Sequence, residues 1–243
     1  MLKQALFLAV VLASNIIQCV TGFAGTVLAM PASIMLVGYE TAKPILNVLG
    51  IAASVGVVAL NRKSVNKKEF AKITLIMLLG IFVGVHISED FERYADAMYL
   101  ILGLLVIAIA IVNSVKFFSK KEEKAPPEAL SLILLVLSGL VHGVFDCGGP
   151  LLVTYASANL KNSDEFRSTL SAVWIVLNSV ILFSDVRAGY FGRQTLSLTM
   201  ICLVVLVFSL FIGNLIGKKM SRNAFLILTY VLMIVSGVSL ILE

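Results

Sequence analysis

The segment 195–217 contains no charged residue, and a run of about 18 such residues is long enough to cross the hydrocarbon core of a bilayer as a helix. It is one of ten apolar segments, at roughly 4–20, 24–37, 45–60, 70–88, 96–118, 129–144, 149–160, 168–184, 195–217 and 223–242. None keeps the period-two alternation of a barrel strand, so helices are the form that satisfies their backbone groups in lipid. Only 14% of the residues are charged and 59% are hydrophobic, against about 25% charged in a soluble domain. The chain therefore reads as an all-α integral membrane protein, a polytopic helix bundle of the cell membrane.

Two of the segments, 24–37 and 149–160, are short, and each follows a glycine-rich interruption. Thr21 to Pro31 reads TGFAGTVLAMP, and Phe145 to Val153 reads FDCGGPLLV. Glycine and proline are unfavourable inside helices, so both stretches are expected to break a helix at membrane depth. A helix starting there presents unpaired backbone N–H groups and the positive end of its dipole. Glycines beside it would let a ligand approach that backbone and make an anion-binding concavity. Pro150 suits a first helical turn, where no N–H donor is needed. The competing reading is that these residues only permit close packing or a kink, as they often do in membrane helices.

The ten segments divide into two sets of five around a charged, Pro-rich stretch, SKKEEKAPPE. The expected organisation is a first transmembrane repeat at 1–118, a cytoplasmic linker at 119–128 and a second repeat at 129–243. At an offset of 124, Gly25 falls on Gly149, Ser54 on Asn178, and Glu40 and Lys43 on Asp164 and Arg167. Further on, Gly80 to Gly84 (GIFVG) matches Gly213 to Gly217 (GNLIG), two GxxxG patterns of the kind that lets helix backbones meet in lipid. Basic residues cluster at Arg62 to Lys72, around the linker and at Lys218 to Arg222, whereas SEDFERYAD is acidic. The first three are expected in the cytoplasm and the acidic loop outside, with both termini outside and the halves inverted. Inverted repeats built on broken or re-entrant helices, with a binding site near the midplane, are a recurrent architecture of secondary transporters. Whether segments 24–37 and 149–160 span or are re-entrant is not legible.

The net charge of +5 sits in loops and does not indicate a nucleic-acid partner. Cys19, Cys147 and Cys202 show no CxxC and no zinc spacing, and nothing calls for a cofactor, a metal or an enzymatic activity. No A-x-A site ends the first segment, and Gln18 precedes Cys19 where a lipoprotein signal would have a small residue. That segment is expected to be retained as a helix. No nucleotide-binding motif is present to drive a pump.

The stretches GFAGTVLAMP, ETAKPILN, CGGPLLV and DEFRSTLSAVWIVLNS together resemble the plan of the TauE/SafE sulfite exporter family, the sulfite and organosulfur anion transporters, over nearly the whole chain. The resemblance implies a multi-pass transporter in a bacterial or archaeal inner membrane, with a small anion as substrate and the lipid bilayer as its other partner. Its motifs identify the family better than the substrate. Two departures stand out: Ala24 and Thr26 flank Gly25 where glycines are usual, and Asp146 precedes the second break where a small residue is common.

The candidate substrate-binding residues are Gly22, Phe23, Ala24, Gly25, Thr26, Asn47, Asp146, Cys147, Gly148, Gly149, Pro150 and Asn178. Neutral donors at Asn15, Gln18, Thr21, Ser54 and Ser171 are further candidates, because a fixed buried cation would hold an anion too tightly for release. Lys43 and Arg167 are expected at segment ends, either paired with Glu40 and Asp164 or serving as an entrance for anions. His142 and Asp146 lie one helical turn apart and are the proton-coupling candidates, since an ionisable residue at membrane depth is a functional hypothesis by default. The plainer alternative makes Asp146 a cap on the helix that follows and His142 a buried neutral donor. Two other readings remain: a thiol–disulfide electron carrier using Cys19 and Cys147, and a cation or proton carrier using Asp146. The transported anion, the direction, the coupling ion and the oligomeric state are not legible.

Overall fold

The computed structural model describes residues 2–21, 24–89, 94–119, 127–160 and 163–217, with isolated residues between 227 and 241. Nine helices are delimited there: α1 (Leu2–Thr21), α2 (Ala24–Val37), α3 (Tyr39–Asn61), α4 (Lys67–Glu89), α5 (Ala95–Phe118), α6 (Glu128–Phe145), α7 (Gly149–Asn159), α8 (Ser163–Arg187) and α9 (Arg193–Gly217). No strand occurs among the described residues, in agreement with the all-α expectation. Gly22, Phe23, Lys218 to Arg222, most of the 119–128 linker and most of the segment 223–242 lie outside the described residues.

Six helices, α1, α3, α4, α6, α8 and α9, are long and apolar enough to cross a membrane, which makes this a multi-pass membrane protein. By contrast, α2 has 14 residues and α7 has 11. At 1.5 Å per residue these reach about 21 and 17 Å, short of a hydrocarbon core about 30 Å thick. The helix α2 continues through Pro31, so the proline does not end it. The chain passes from α2 to α3 at Gly38, whose φ of 80° is a conformation that side chains rarely adopt. Asn66 starts α4 by accepting the Glu69 N–H on its side-chain oxygen at 3.1 Å, an N-cap.

Burial is arranged for lipid. Leu75, Leu79, Phe82 and Val83 on α4, and Val204, Val207, Phe208 and Phe211 on α9, are exposed, whereas Lys43, Asn47, His142, Asp146, Asn178 and Asp185 are buried. Apolar side chains cost nothing against lipid, while ionisable ones must turn inward and find partners.

The helices pack in a set of pairs that is nearly unchanged when α1–α4 and α6–α9 are exchanged. α4 packs on α6 and α1 on α9; α4 on α8 and α3 on α9; α1 on α2 and α6 on α7; and α3 on α8. The departure is α2 on α3, which has no α7–α8 contact of similar extent. One apolar core is built mainly from α1, α2, α3 and α9, including Phe7, Met30, Ile45 and Cys202. The other joins α4, α6, α7 and α8 through Ile73, Leu135, Leu152 and Leu177. Each core surrounds one half-length helix and borrows α9 or α4 from across the linker.

The glycine pattern on α4 has the role its spacing predicts. A Cβ on Gly80 would run into the backbone of Val136 and Leu140 on α6, and one on Gly139 into the backbone of Met77 on α4. Gly84 lies in the same way against Leu140 and Gly143. On α9, Gly213 meets the Cys19 side chain and the Ile16 carbonyl of α1.

Candidate anion site

A small buried cavity is lined by Gln18, Thr26, His142, Asp146, Cys147, Gly149, Trp174 and Asn178. It draws on α1, α2, α6, α7 and α8, so residues of both glycine-rich interruptions meet there. Its volume of about 10 Å³ is that of roughly one water.

The second interruption supplies most of the lining. α6 ends at Phe145, and Asp146 follows in the left-handed region (φ 55°, ψ 26°), its N–H donating to the His142 carbonyl. It is the one non-glycine residue with positive φ among those described, and Asp tolerates that conformation better than most. This turn points the carboxylate back along α6, where Oδ1 lies 3.5 Å from His142 Nε2. Neither carboxylate oxygen accepts a hydrogen bond, although the residue is only 2% exposed. Asp146 therefore does not cap α7 with its side chain; Gly148 occupies the N-cap position without a side-chain bond. Pro150 falls in the first turn of α7 as expected.

His142 is held on both sides. Its Nε2 is 2.7 Å from Asn178 Oδ1, and its Nδ1 is 3.5 Å from the Gly148 backbone nitrogen. The tautomer with the proton on Nε2 satisfies both contacts, donating to Asn178 and accepting from Gly148. The Trp174 ring lies against the imidazole, 4.8 Å between centroids and tilted by 50°. Trp174 Nε1 is buried without an acceptor.

The first interruption contributes Thr26 and, from α1, Gln18. Gln18 Oε1 accepts the Gly25 N–H at 2.8 Å. A Cβ on Gly25 would come within 2.6 Å of Gln18 and 2.7 Å of the Ser14 carbonyl. Gly148 lies in the same way against Ser138 and His142 of α6, and Ser138 Oγ donates to its carbonyl at 2.7 Å. These two glycines let a half-length helix press against the helix before it. Gly149, by contrast, faces the cavity.

Other predicted residues lie elsewhere. Gly22 and Phe23 fall outside the described residues, and Ala24 begins α2. Asn15 donates to the Val11 carbonyl of its own helix at 2.8 Å. Ser54 and Ser171 are buried away from the cavity lining. Asn47 belongs to a second polar cluster, where its Nδ2 is 3.4 Å from Asp185 Oδ2. Cys147 lines the cavity, whereas Cys19 sits against α9, with Sγ 3.7 Å from the Leu210 carbonyl.

That second cluster corrects the expectation for Lys43. Lys43 lies near the start of α3 as expected, but instead of pairing with Glu40 it is 1% exposed and pairs with Asp185 of α8 at 3.5 Å. It also donates to Ser88 Oγ at 3.3 Å and lies 5.4 Å from the centre of the Tyr39 ring. Tyr39 OH in turn donates to the Val144 carbonyl near the end of α6. Arg167 donates to the Cys19 carbonyl at 2.9 Å, with its Nε buried and unpartnered.

Two residues escaped the sequence reading. Asp185 looked like the start of a loop because the apolar run stops at 184, yet α8 continues to Arg187. Trp174 sat unremarked in an apolar run; its signal is the spacing of one helical turn to Asn178.

The molecule is thus a multi-pass helical membrane protein with a small polar cavity where the two half-length helices meet α1, α6 and α8. Residues 6–240 match the model of the sulfite exporter TauE/SafE family, and the chain belongs to that family. The family is one of membrane transporters for sulfite and related anions. No curated protein and no solved structure matches the chain.

Proposed function

We propose that this protein is a secondary transporter of a small sulfur oxyanion or organic sulfonate, with sulfite and thiosulfate as the first candidates, coupled to protons through Asp146 and His142. The observation that carries the proposal is the convergence of both interruptions on one cavity with donors and no fixed cation among its described lining residues. Thr26, Trp174 and Asn178 offer neutral donors. They suit an anion that must be released as well as bound. Asp146 would repel that anion while ionised, so proton and anion bind together. Lys43 and Asp185 are the other charged groups whose fields reach Asp146.

The near-invariance of the packing pairs on exchanging the two halves supports reading 1–118 and 129–243 as repeats, and the basic clusters support placing the 119–128 linker, Arg62 to Lys72 and Lys218 to Arg222 in the cytoplasm, which makes the repeats inverted. Labelling a cysteine placed in that linker from the outside of intact cells would overturn this orientation. The decisive assay for substrate is tracer exchange in proteoliposomes across sulfite, thiosulfate, sulfonates and small carboxylates. Exchange of one sulfur oxyanion in preference to the carboxylates is expected. The unpartnered carboxylate of Asp146 also favours a second reading, a proton or cation carrier; transport that persists after every oxyanion is removed would select it.

A further inference from the structure

At the start of each half-length helix, a side chain from the preceding helix already occupies a backbone N–H. Gln18 Oε1 takes that of Gly25 at 2.8 Å, and His142 Nδ1 faces that of Gly148 at 3.5 Å. The two acceptors lie 124 residues apart in sequence, and the N–H groups they meet belong to the second residue of α2 and to the N-cap residue of α7. An uncharged amide oxygen on a helix-terminal N–H sits where an oxyanion oxygen would bind. The cavity beside it, about 10 Å³, cannot take a tetrahedral oxyanion without a side chain moving. Gln18 and Thr26 are the partly exposed side chains of the lining, and Gln18 is the longer and more flexible of the two, whereas His142, Asp146, Cys147, Trp174 and Asn178 are each 5% exposed or less. An unpartnered donor, Trp174 Nε1, and an unpartnered carboxylate, Asp146, are buried in the same lining.

We propose that Gln18 is a displaceable stand-in for the substrate: its amide oxygen occupies the Gly25 N–H until an anion replaces it, and so it sets the affinity of the site. This rests on the cavity being the anion site. Displacement exchanges one neutral hydrogen bond for a charge-assisted one, which is stronger, so oxyanions can drive it and neutral solutes cannot. The amide is then a built-in competitor. Its removal strengthens binding, whereas deleting a substrate ligand or a structural cap would weaken it.

The test is titration of the purified full-length protein in detergent with sulfite, thiosulfate and methanesulfonate. The chain has one tryptophan, so the fluorescence of Trp174 reports on the cavity directly. Gln18→Ala is expected to tighten binding about fivefold, the equivalent of one neutral hydrogen bond. Gln18→Met, which keeps the bulk but cannot accept strongly, tightens it less. Gln18→Glu puts a carboxylate on the same N–H and weakens binding more than tenfold. Unchanged or weaker binding by both Ala and Met variants overturns the proposal, and so does failure of both to fold, which would make Gln18 a structural cap. Asn178→Ala separates the two levels. If it weakens binding while Gln18→Ala does not tighten it, only the role of Gln18 is wrong. If none of the three anions perturbs Trp174 or is exchanged in proteoliposomes, the anion site itself is wrong.

Discussion

At the start of α2 the side chain facing the backbone N–H is an amide, Gln18; at the start of α7 it is an imidazole, His142, with the Asp146 carboxylate 3.5 Å from its other nitrogen. The helices around the two starts are arranged alike, yet the side chain on one N–H is not titratable, while the one on the other is titratable and has a carboxylate beside it. A similar contrast holds further out. Lys43, near the start of α3, meets the carboxylate of Asp185, whereas Arg167, near the start of α8, donates to the Cys19 carbonyl. It holds again at the crossings. α6 presents Gly139 and Gly143 to α4, whereas α1 has Asn15 and Cys19 at the positions 124 residues earlier and meets Gly213 of α9 with Cys19 and the Ile16 carbonyl. The lesson is that packing and charge are separable: backbone geometry can be used twice while ionisable chemistry is installed once.

The crossings offer the largest expected effect. Gly139→Val drives a branched side chain into the α4 backbone at Met77, and two packed backbones cannot move apart locally. A loss of about 3 kcal/mol or more, or no extractable protein, is expected. Gly213→Val meets the Cys19 side chain at 2.8 Å and the Ile16 carbonyl at 3.0 Å, so it should cost less. Gly56→Val, with nothing within 4 Å of its Cβ position, is the control. Thermal unfolding in detergent ranks the three; equal stabilities for Gly139→Val and Gly213→Val would remove the distinction between the crossings.

Next come the two cations. Lys43→Met leaves Asp185 buried without its cation and should cost about 3–5 kcal/mol, whereas Lys43→Met combined with Asp185→Leu should recover most of that. Arg167→Met loses a bond to a carbonyl from a partly exposed side chain, so about 1 kcal/mol is expected. A double-mutant cycle on Lys43 and Asp185 with no coupling energy would show that the pair contributes nothing, and the contrast with Arg167 would fail.

The smallest effect on the fold, and the sharpest on function, is at Asp146. Two negative charges about 4 Å apart repel by roughly 4 kcal/mol at an effective dielectric of about 20. Anion binding by the native protein should therefore weaken as pH rises and the carboxylate ionises. Asp146→Asn should bind at every pH with a flat profile. His142→Gln, which copies the amide found at position 18, should alter the profile less. An Asn variant that retains the native pH dependence would move the proton site elsewhere.

Much of this was legible in the sequence because the physics behind it is local. A run of uncharged residues must be helical in lipid, and glycines at a spacing of four allow helices to touch. Those rules delimited nine of the ten segments to within a few residues in most cases, and the sequence also carried the shortness of α2 and α7 and the family. They also brought forward His142, Asp146 and Asn178 as polar groups too costly to bury idly. What only the tertiary structure decided is which of those groups meet. Asp185 is the partner of Lys43 although 142 positions separate them, and Trp174 of α8 faces His142 of α6. Gln18 turned from one donor among many into an acceptor on Gly25. Helical periodicity constrains neighbours one turn apart, but contacts between distant helices depend on how backbones cross, and that is set by the whole bundle at once.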